Sequence, residues 1–266
     1  MQALFKHDDK IFYKHDLIQT LKNLGIKKGD ILYPHTEIYN FGIPLVDGKT
    51  LLQTILDCFF EVIGKEGTLI MPTFTYSFCN QEIYDKTNSI SKMGALNEYF
   101  RKQKGVKRTN DPIFSFAVKG AKEELFLKDT TSCFGDDSIF AEFKKQNGKI
   151  VLFGNHTLGC TFFHHIEEKA GVSYRYSKDF SGILIDENGN KHKKTITYFV
   201  RDETKNSLTS IDIATSFLKQ TNNLFILPFA NAEIAIINAN TFYNEAFKLL
   251  KENESAFLLN KTKEVE

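Results

Sequence analysis

Alternation constrains this chain more than anything else: from Asp16 to Phe153, helical patterns take turns with short apolar runs. Asp16 to Leu24 reads as an amphipathic helix closed by Gly25, and Asp30 to Tyr33 as a strand ending at Pro34-His35. The series continues with a helix over Lys49 to Ile63, a strand over Thr68 to Met71, a helix over Ser91 to Lys104 and a strand over Ser115 to Val118. A helix over Ser138 to Gln146 and a strand over Ile150 to Phe153 complete it. Apolar runs this short, bounded by Gly and Pro, are buried strands. Strands that alternate with helices build an α/β fold, here a layered mixed sheet with helices on both sides.

Past Gly171 the pattern changes. Tyr174 to Ile185 and Lys193 to Val200 flank Glu187-Asn188-Gly189-Asn190, a hairpin signal. Ile211 to Lys219 returns to helix, Leu224 to Leu227 to strand and Thr241 to Leu250 to helix, before a tail of about a dozen residues. No linker or repeat interrupts the chain, so residues 1–266 read as one domain with 174–202 as a hairpin subregion.

Charge and cysteine usage exclude several classes. Net charge is +1 with no basic tract, so nucleic acid is not an expected partner. Cys58, Cys79, Cys133 and Cys160 are scattered without a CxxC pair, which argues against a disulfide framework or zinc ribbon. The N-terminus lacks an apolar signal core and no run approaches a membrane span, so the expectation is a soluble cytoplasmic protein with no membrane partner. Monomer and homodimer remain open.

Chemistry concentrates in GNHTLGCTFFHHIE, Gly154 to Glu167, which follows the apolar run Ile150 to Phe153. Thr161 is a candidate N-cap, placing His164 and Glu167 in the first two helical turns, three residues apart on one face. The positive end of the helix dipole favours a neutral imidazole, and the carboxylate orients it. This is a base with its orienting acid, and it points to an enzyme. HHIEE lacks the HExxH order and adjacent histidines diverge on a helix, so no metal is expected. Cys58 reads as a core thiol and Asp136-Asp137 as a helix cap.

His35, Thr73, the Arg108–Ser115 segment and Gly154 all lie at or past the ends of extended runs, where ligands collect in open α/β sheets. Gly42 to Thr50 approaches a P-loop, but five residues separate Gly42 from Gly48-Lys49-Thr50 where four are required. What survives is Asp47-Gly48 opening a helix whose free N–H groups can meet an anion. The bland reading of each loop is surface structure.

The ordered series LGIKKGDILYPHT, GTLIMPTFT, MGALNEYFR, RTNDPIFSF and GNHTLGCTFFHHIEE resembles the aminoglycoside 3-N-acetyltransferase family, over roughly Leu24 to Tyr176. The resemblance implies that family's α/β sandwich, distinct from the small acetyltransferases whose coenzyme A loop this chain lacks. It implies transfer of an acetyl or longer acyl group from coenzyme A to an amine of an amino sugar. Carried over by motif, His164 is the catalytic histidine and Glu167 its partner acid. The resemblance places the coenzyme along His35, Thr36, Gly42, Val46 and Gly48, with Thr73, Arg108 and Ser115 at the acyl side and Thr73 and Ser115 as oxyanion candidates. It places the acceptor against Thr75, Asp111, Phe114, Tyr174 and Arg175, beside the hairpin.

Asp111 departs from the pattern, standing where drug-modifying members usually carry histidine. Asp-Pro-Ile-Phe-Ser resembles members that act on nucleotide-linked amino sugars in polysaccharide synthesis. Asp111, Asp136 and Asp137 are carboxylates that could hold a polycationic drug instead. A drug-inactivating enzyme, a hydrolase and a retired enzyme that only binds coenzyme A remain as alternatives.

Overall fold

The computed structural model describes residues 2–259. The chain runs through β1 (Ala3–His7), β2 (Lys10–Tyr13), α1 (Lys14–Asn23), β3 (Ile31–Thr36), β4 (Ile43–Pro44), α2 (Gly48–Ile63), β5 (Thr68–Pro72) and β6 (Tyr84–Asp85). It continues with α3 (Ala95–Arg101), β7 (Lys107–Arg108), β8 (Phe116–Gly120), α4 (Glu123–Phe126), α5 (Ile139–Lys145), β9 (Lys149–Phe153) and α6 (Phe162–Ala170). The last elements are β10 (Arg175–Ile185), β11 (Lys191–Arg201), α7 (Ile211–Gln220), β12 (Phe225–Phe229), β13 (Ala232–Asn238) and α8 (Ala239–Glu252).

A seven-stranded mixed sheet in the order β12-β13-β9-β3-β5-β8-β7 divides the molecule into layers. β3 runs parallel to both β9 and β5, and the outer pairings are antiparallel. Its strands are apolar on both faces because both faces are covered. Tyr33, Ile70, Ile150 and Leu152 pack toward α5, α6, α8 and the β10–β11 hairpin. Their neighbours Leu32, Leu69, Val151 and Phe153 pack toward α1, α2 and α3. This is the expected layered α/β sandwich. Among the described residues no helix is long and apolar enough to cross a membrane.

The hairpin forms where its turn residues require it: Asp186 accepts the N–H groups of Asn188 and Asn190, and Gly189 sits at φ +83°. Its register pairs Arg175 with Arg201 at the base and Ile185 with Lys191 at the tip, and β6 joins alongside.

Several expectations need correction. The helix expected over Ser91–Lys104 shrinks to α3, because Gly94 stands at φ +93° and Ser91 N–H is held by the Glu98 carboxylate at 2.9 Å. Asp136 and Asp137 do not cap α5. Ser138 does, accepting Ala141 N–H, while Asp137 holds Thr131 and Asp136 pairs with Lys169. Thr161 precedes α6 but is itself helical in backbone, and its side chain makes no cap hydrogen bond. β13 and the β1–β2 ribbon lie outside the strands expected from the sequence, although β13 carries the apolar run Ile234 to Ile237.

Candidate active site

β9 delivers the chain to the carboxyl edge of the sheet, where Gly154 turns it at φ +107°. A Cβ there would lie 2.2 Å from the Glu37 carbonyl oxygen, so only glycine lets this joint close against the loop after β3. Asn40 donates to the Gly154 carbonyl at 3.0 Å and Gly154 N–H donates to Glu233 O at 3.0 Å, fixing the loop that leads to α6.

On α6, His164 Nδ1 lies 2.6 Å from Glu167 Oε2. Glu167 is fully buried, and its other oxygen accepts the Tyr174 hydroxyl at 3.0 Å. Arg175 Nε stands 2.9 Å from Oε2, a charge neighbour whose N–H is not aimed at the carboxylate. Burial alone would push the Glu167 carboxyl up. The His164 hydrogen bond and charge, then Arg175 and Tyr174, outweigh it and hold the group below the ordinary glutamate range. With Nδ1–H directed at an ionised carboxylate, the remaining nitrogen of His164, Nε2, carries the basic lone pair. The Phe134 ring packs edge-on against the imidazole at 5.4 Å. His165, by contrast, is a core residue whose Nδ1–H donates to Phe134 O at 2.6 Å, and burial lowers its pKa to about 4.

His164 opens on a groove of about 360 Å³ formed by the 156–161 loop, α7 and the sheet edge. Leu152, Phe163, Leu218, Ile237 and Phe242 make its floor, and Thr161, Thr209, Ser210 and Thr215 bring hydroxyl groups. The sequence marked Ile211 to Lys219 as a helix but not as part of a site, since it lies some 45 residues after His164. Ser210 caps this helix through Ile213 N–H.

The other expected site residues fall into three groups. Thr73, Arg108 and Ser115 form one buried cluster: Arg108 donates to Thr73 O at 2.6 Å and Ser89 O at 2.6 Å, and Ser115 Oγ donates to Thr73 O at 2.6 Å. Thr75, Asp111 and Phe114 shape the 109–116 turn. Thr75 donates to Pro112 O, Phe114 packs in an aromatic cluster, and Asp111 accepts Ile113 and Phe114 N–H, each at 2.8 Å. This is the turn that an Asp before Pro favours. Burial raises the Asp111 pKa against those hydrogen bonds. Tyr174 and Arg175 stand on Glu167, so neither offers a free face.

At the end of β3, His35 is 7% exposed and burial lowers its pKa to about 4. Its Nε2 finds no hydrogen-bond partner among the described residues. Thr36 Oγ1 pairs with Asn97 at 3.0 Å. Gly42 takes φ +109° with Lys6 O 2.6 Å from where a Cβ would lie, so this position requires glycine, and Val46 packs against the α1–α2 core. Gly48 begins α2, whose first turn is capped by Asp47 accepting Thr50 N–H at 3.0 Å. Among the described residues no group of three or more His, Cys, Asp or Glu is placed to hold a metal.

The aminoglycoside 3-N-acetyltransferase family model matches residues 35–251. The chain belongs to this family. Among curated relatives, aminoglycoside N(3)-acetyltransferase IX of Micromonospora chalcea is 30% identical over 195 residues, 65% of this chain and 66% of that protein. The match thus spans just under two thirds of that relative's own length. Among solved structures, sisomicin-bound AAC-VIa superposes with a TM-score of 0.78 at 21% identity, covering 91% of this chain and 98% of that one. The AAC-IIIb binary complex with CoASH gives 0.76 at 20% identity, covering 90% and 96%. These likenesses show that the family's sandwich is the fold here.

Proposed function

We propose that this chain is an acyl-CoA-dependent N-acyltransferase acting on an amine of an amino sugar. The observation that carries the reading is the His164 imidazole held at 2.6 Å by a buried, ionised Glu167 beside an open groove. Family membership and the fold shared with the CoASH-bound relative supply the donor class. The residues present fit a coenzyme: the buried His35 Nε2 awaits a partner where β3 ends, next to the loop closed by Gly154. His35 and Thr36, with the loop through Gly42, Val46 and Gly48, are proposed to hold it.

A bound thioester supplies an electrophilic carbonyl carbon and a sulfur leaving group. The protein's part is proton management. His164 Nε2 takes the proton that the attacking amine loses, while Glu167 holds the tautomer and stabilises the imidazolium. Thr73 and Ser115 have hydroxyls engaged in the Arg108 cluster, so their part here is to fix the β5 and 109–116 loops.

The acceptor is best read as a sugar with one reacting amine. The three carboxylates expected to hold a polycation are each held by another group: Asp111 in its turn, Asp136 on Lys169 and Asp137 on Thr131. A nucleotide-linked amino sugar meets that condition. The relatives' names favour an aminoglycoside, and thiol release measured with each acceptor in turn separates the two. His164→Ala should lower kcat by about 10²–10⁴-fold and leave coenzyme A affinity intact. Undiminished turnover at saturating substrates would exclude His164 as the base, and thiol release without acceptor would indicate a hydrolase.

A further inference from the structure

Three rings connect the candidate base to a lysine whose charge no carboxylate meets. Residues opposite one another in an antiparallel pair share a face, and so do residues two apart on one strand. The register therefore puts Lys178, Phe180 and Tyr198 on one face of the β10–β11 hairpin, with Lys194 and His192 nearer the tip. Lys194 and His192 are paired with Asp129 and Asp186. The Lys178 ammonium instead stands over the Phe180 ring at 5.1 Å and makes no ion pair among the described residues. Phe180 packs on Tyr198 at 6.2 Å, Tyr198 on Phe134 at 5.7 Å and Phe134 on His164 at 5.4 Å, ring centre to ring centre. An aromatic shelf thus runs from the base to the lysine. Its hairpin end is open: Lys178 is exposed, Phe180 and Tyr198 are half-buried, and Tyr176 on the same face is 50% exposed.

Charge decides what kind of acceptor suits this shelf. None of the strand residues on its face of the hairpin, from Tyr176 to Leu184 and from His192 to Val200, is Asp or Glu. Asp179 points the other way and accepts the Thr197 hydroxyl at 2.7 Å. Asp111 and Glu167 are buried and engaged with their own partners. A polycation laid along the shelf meets repulsion at Lys178 without compensation. An acceptor with a phosphate gains instead, because an ammonium is a compact charge that meets phosphate oxygens. The Tyr198 hydroxyl, which burial pushes up to about 12, stays a neutral donor on the same face. The rings cover the C–H face of a sugar. Resting on the transferase reading given above, we infer that the amino-sugar acceptor lies along this shelf and carries a phosphate bound by Lys178. Lys178 is then the residue that selects an anionic acceptor over a polycationic one.

The test is thiol release by the full chain at saturating acetyl-CoA with three acceptors: glucosamine, glucosamine 1-phosphate and sisomicin. The phosphate should raise kcat/KM over plain glucosamine by about tenfold or more, the range of a hydrogen bond to a charged group. Added salt should shrink that ratio, because the lysine is exposed and its field is screened. Lys178→Glu should erase the preference for the phosphate and raise kcat/KM for sisomicin, whereas Lys178→Arg, which keeps the charge, should retain the preference. The position is exposed, so both variants fold. Equal turnover of glucosamine with and without phosphate, or faster turnover of sisomicin than of glucosamine 1-phosphate, overturns the inference and leaves the transferase reading standing. A phosphate preference that survives Lys178→Glu places the anion elsewhere and also overturns it. Absence of thiol release with all three acceptors sinks the transferase reading, and this inference with it.

Discussion

Glu167 is a carboxylate without solvent, so each of its oxygens depends on a protein partner. Glu167→Gln keeps the shape and removes the charge, leaving the Arg175 guanidinium, whose side chain is 5% exposed, without its counter-ion. Breaking a buried pair this way costs about 3–5 kcal/mol. The amide can also present N–H to His164 Nδ1, which moves the ring proton to Nε2 and removes the base. Urea unfolding and kcat should therefore fall together, kcat by about 10²-fold or more. Tyr174→Phe removes a single hydrogen bond to an ionised oxygen, costing about 1.5–3 kcal/mol of stability with kcat held within tenfold. A variant that lost turnover as fully as Glu167→Gln would show Tyr174 to be part of the proton path. The His164–Glu167 pair was legible in the sequence because it is local, three residues on one helix. Its partners Tyr174 and Arg175 were legible only as pocket candidates, since their contact with Glu167 is made by the fold. Arg108 and Asp111 show the same limit: a polar residue turned toward a ligand and one satisfied by backbone look alike until burial is known.

At the scale of elements, the joint between β9 and α6 is what positions the base, and its glycine can be separated from an ordinary one. Gly171 ends α6 at φ +71° with open space where a Cβ would go. Gly171→Ala should therefore cost only the left-handed backbone penalty, about 1–2 kcal/mol. Gly154→Ala meets both an unfavourable φ and a backbone oxygen at 2.2 Å. It should lower the melting temperature more than Gly171→Ala does, and lower kcat as the loop shifts. Equal losses would show that the approach of Glu37 to Gly154 does not position the loop. β3, β5 and β9 were readable because strands covered on both faces are apolar runs. β13 carries the same kind of apolar run, Ile234 to Ile237, and is buried between β12 and β9, so it too was within reach of this reading. The shortened α3 is a different case: a helical period persists in the sequence upstream, but Gly94 and the Glu98 hold on Ser91 override it.

For the whole molecule, the hydrophobic layer around α6 carries two imidazoles that it can keep only uncharged. Burial lowers both His35 and His165 to about 4, from about 6.5 in an unfolded chain. Between those values the unfolded chain binds protons that the folded one refuses, so stability falls as pH drops from about 6.5 toward 4. Each group contributes on the order of 2 kcal/mol to that fall by pH 5. Glu98 extends it further into acid. Burial opposes its charge, but Arg101, Lys102 and Ser91 N–H outweigh this and hold it at about 2, so the stability it lends is lost between about 4.5 and 2. His165→Asn retains a donor for Phe134 O and removes the titration. Urea midpoints at pH 7.5 and pH 5 should therefore lie closer together in this variant than in the natural chain. Glu98→Gln should leave that interval unchanged and flatten the decline below pH 4.5. The two substitutions sit on opposite faces of the central sheet, His165 above it with α6 and Glu98 below it with α3. If their effects add, the sheet unfolds as one cooperative unit with both layers. If each moves only the transition of its own layer, the sandwich comes apart in two steps, and the loop carrying His164 would open with the first.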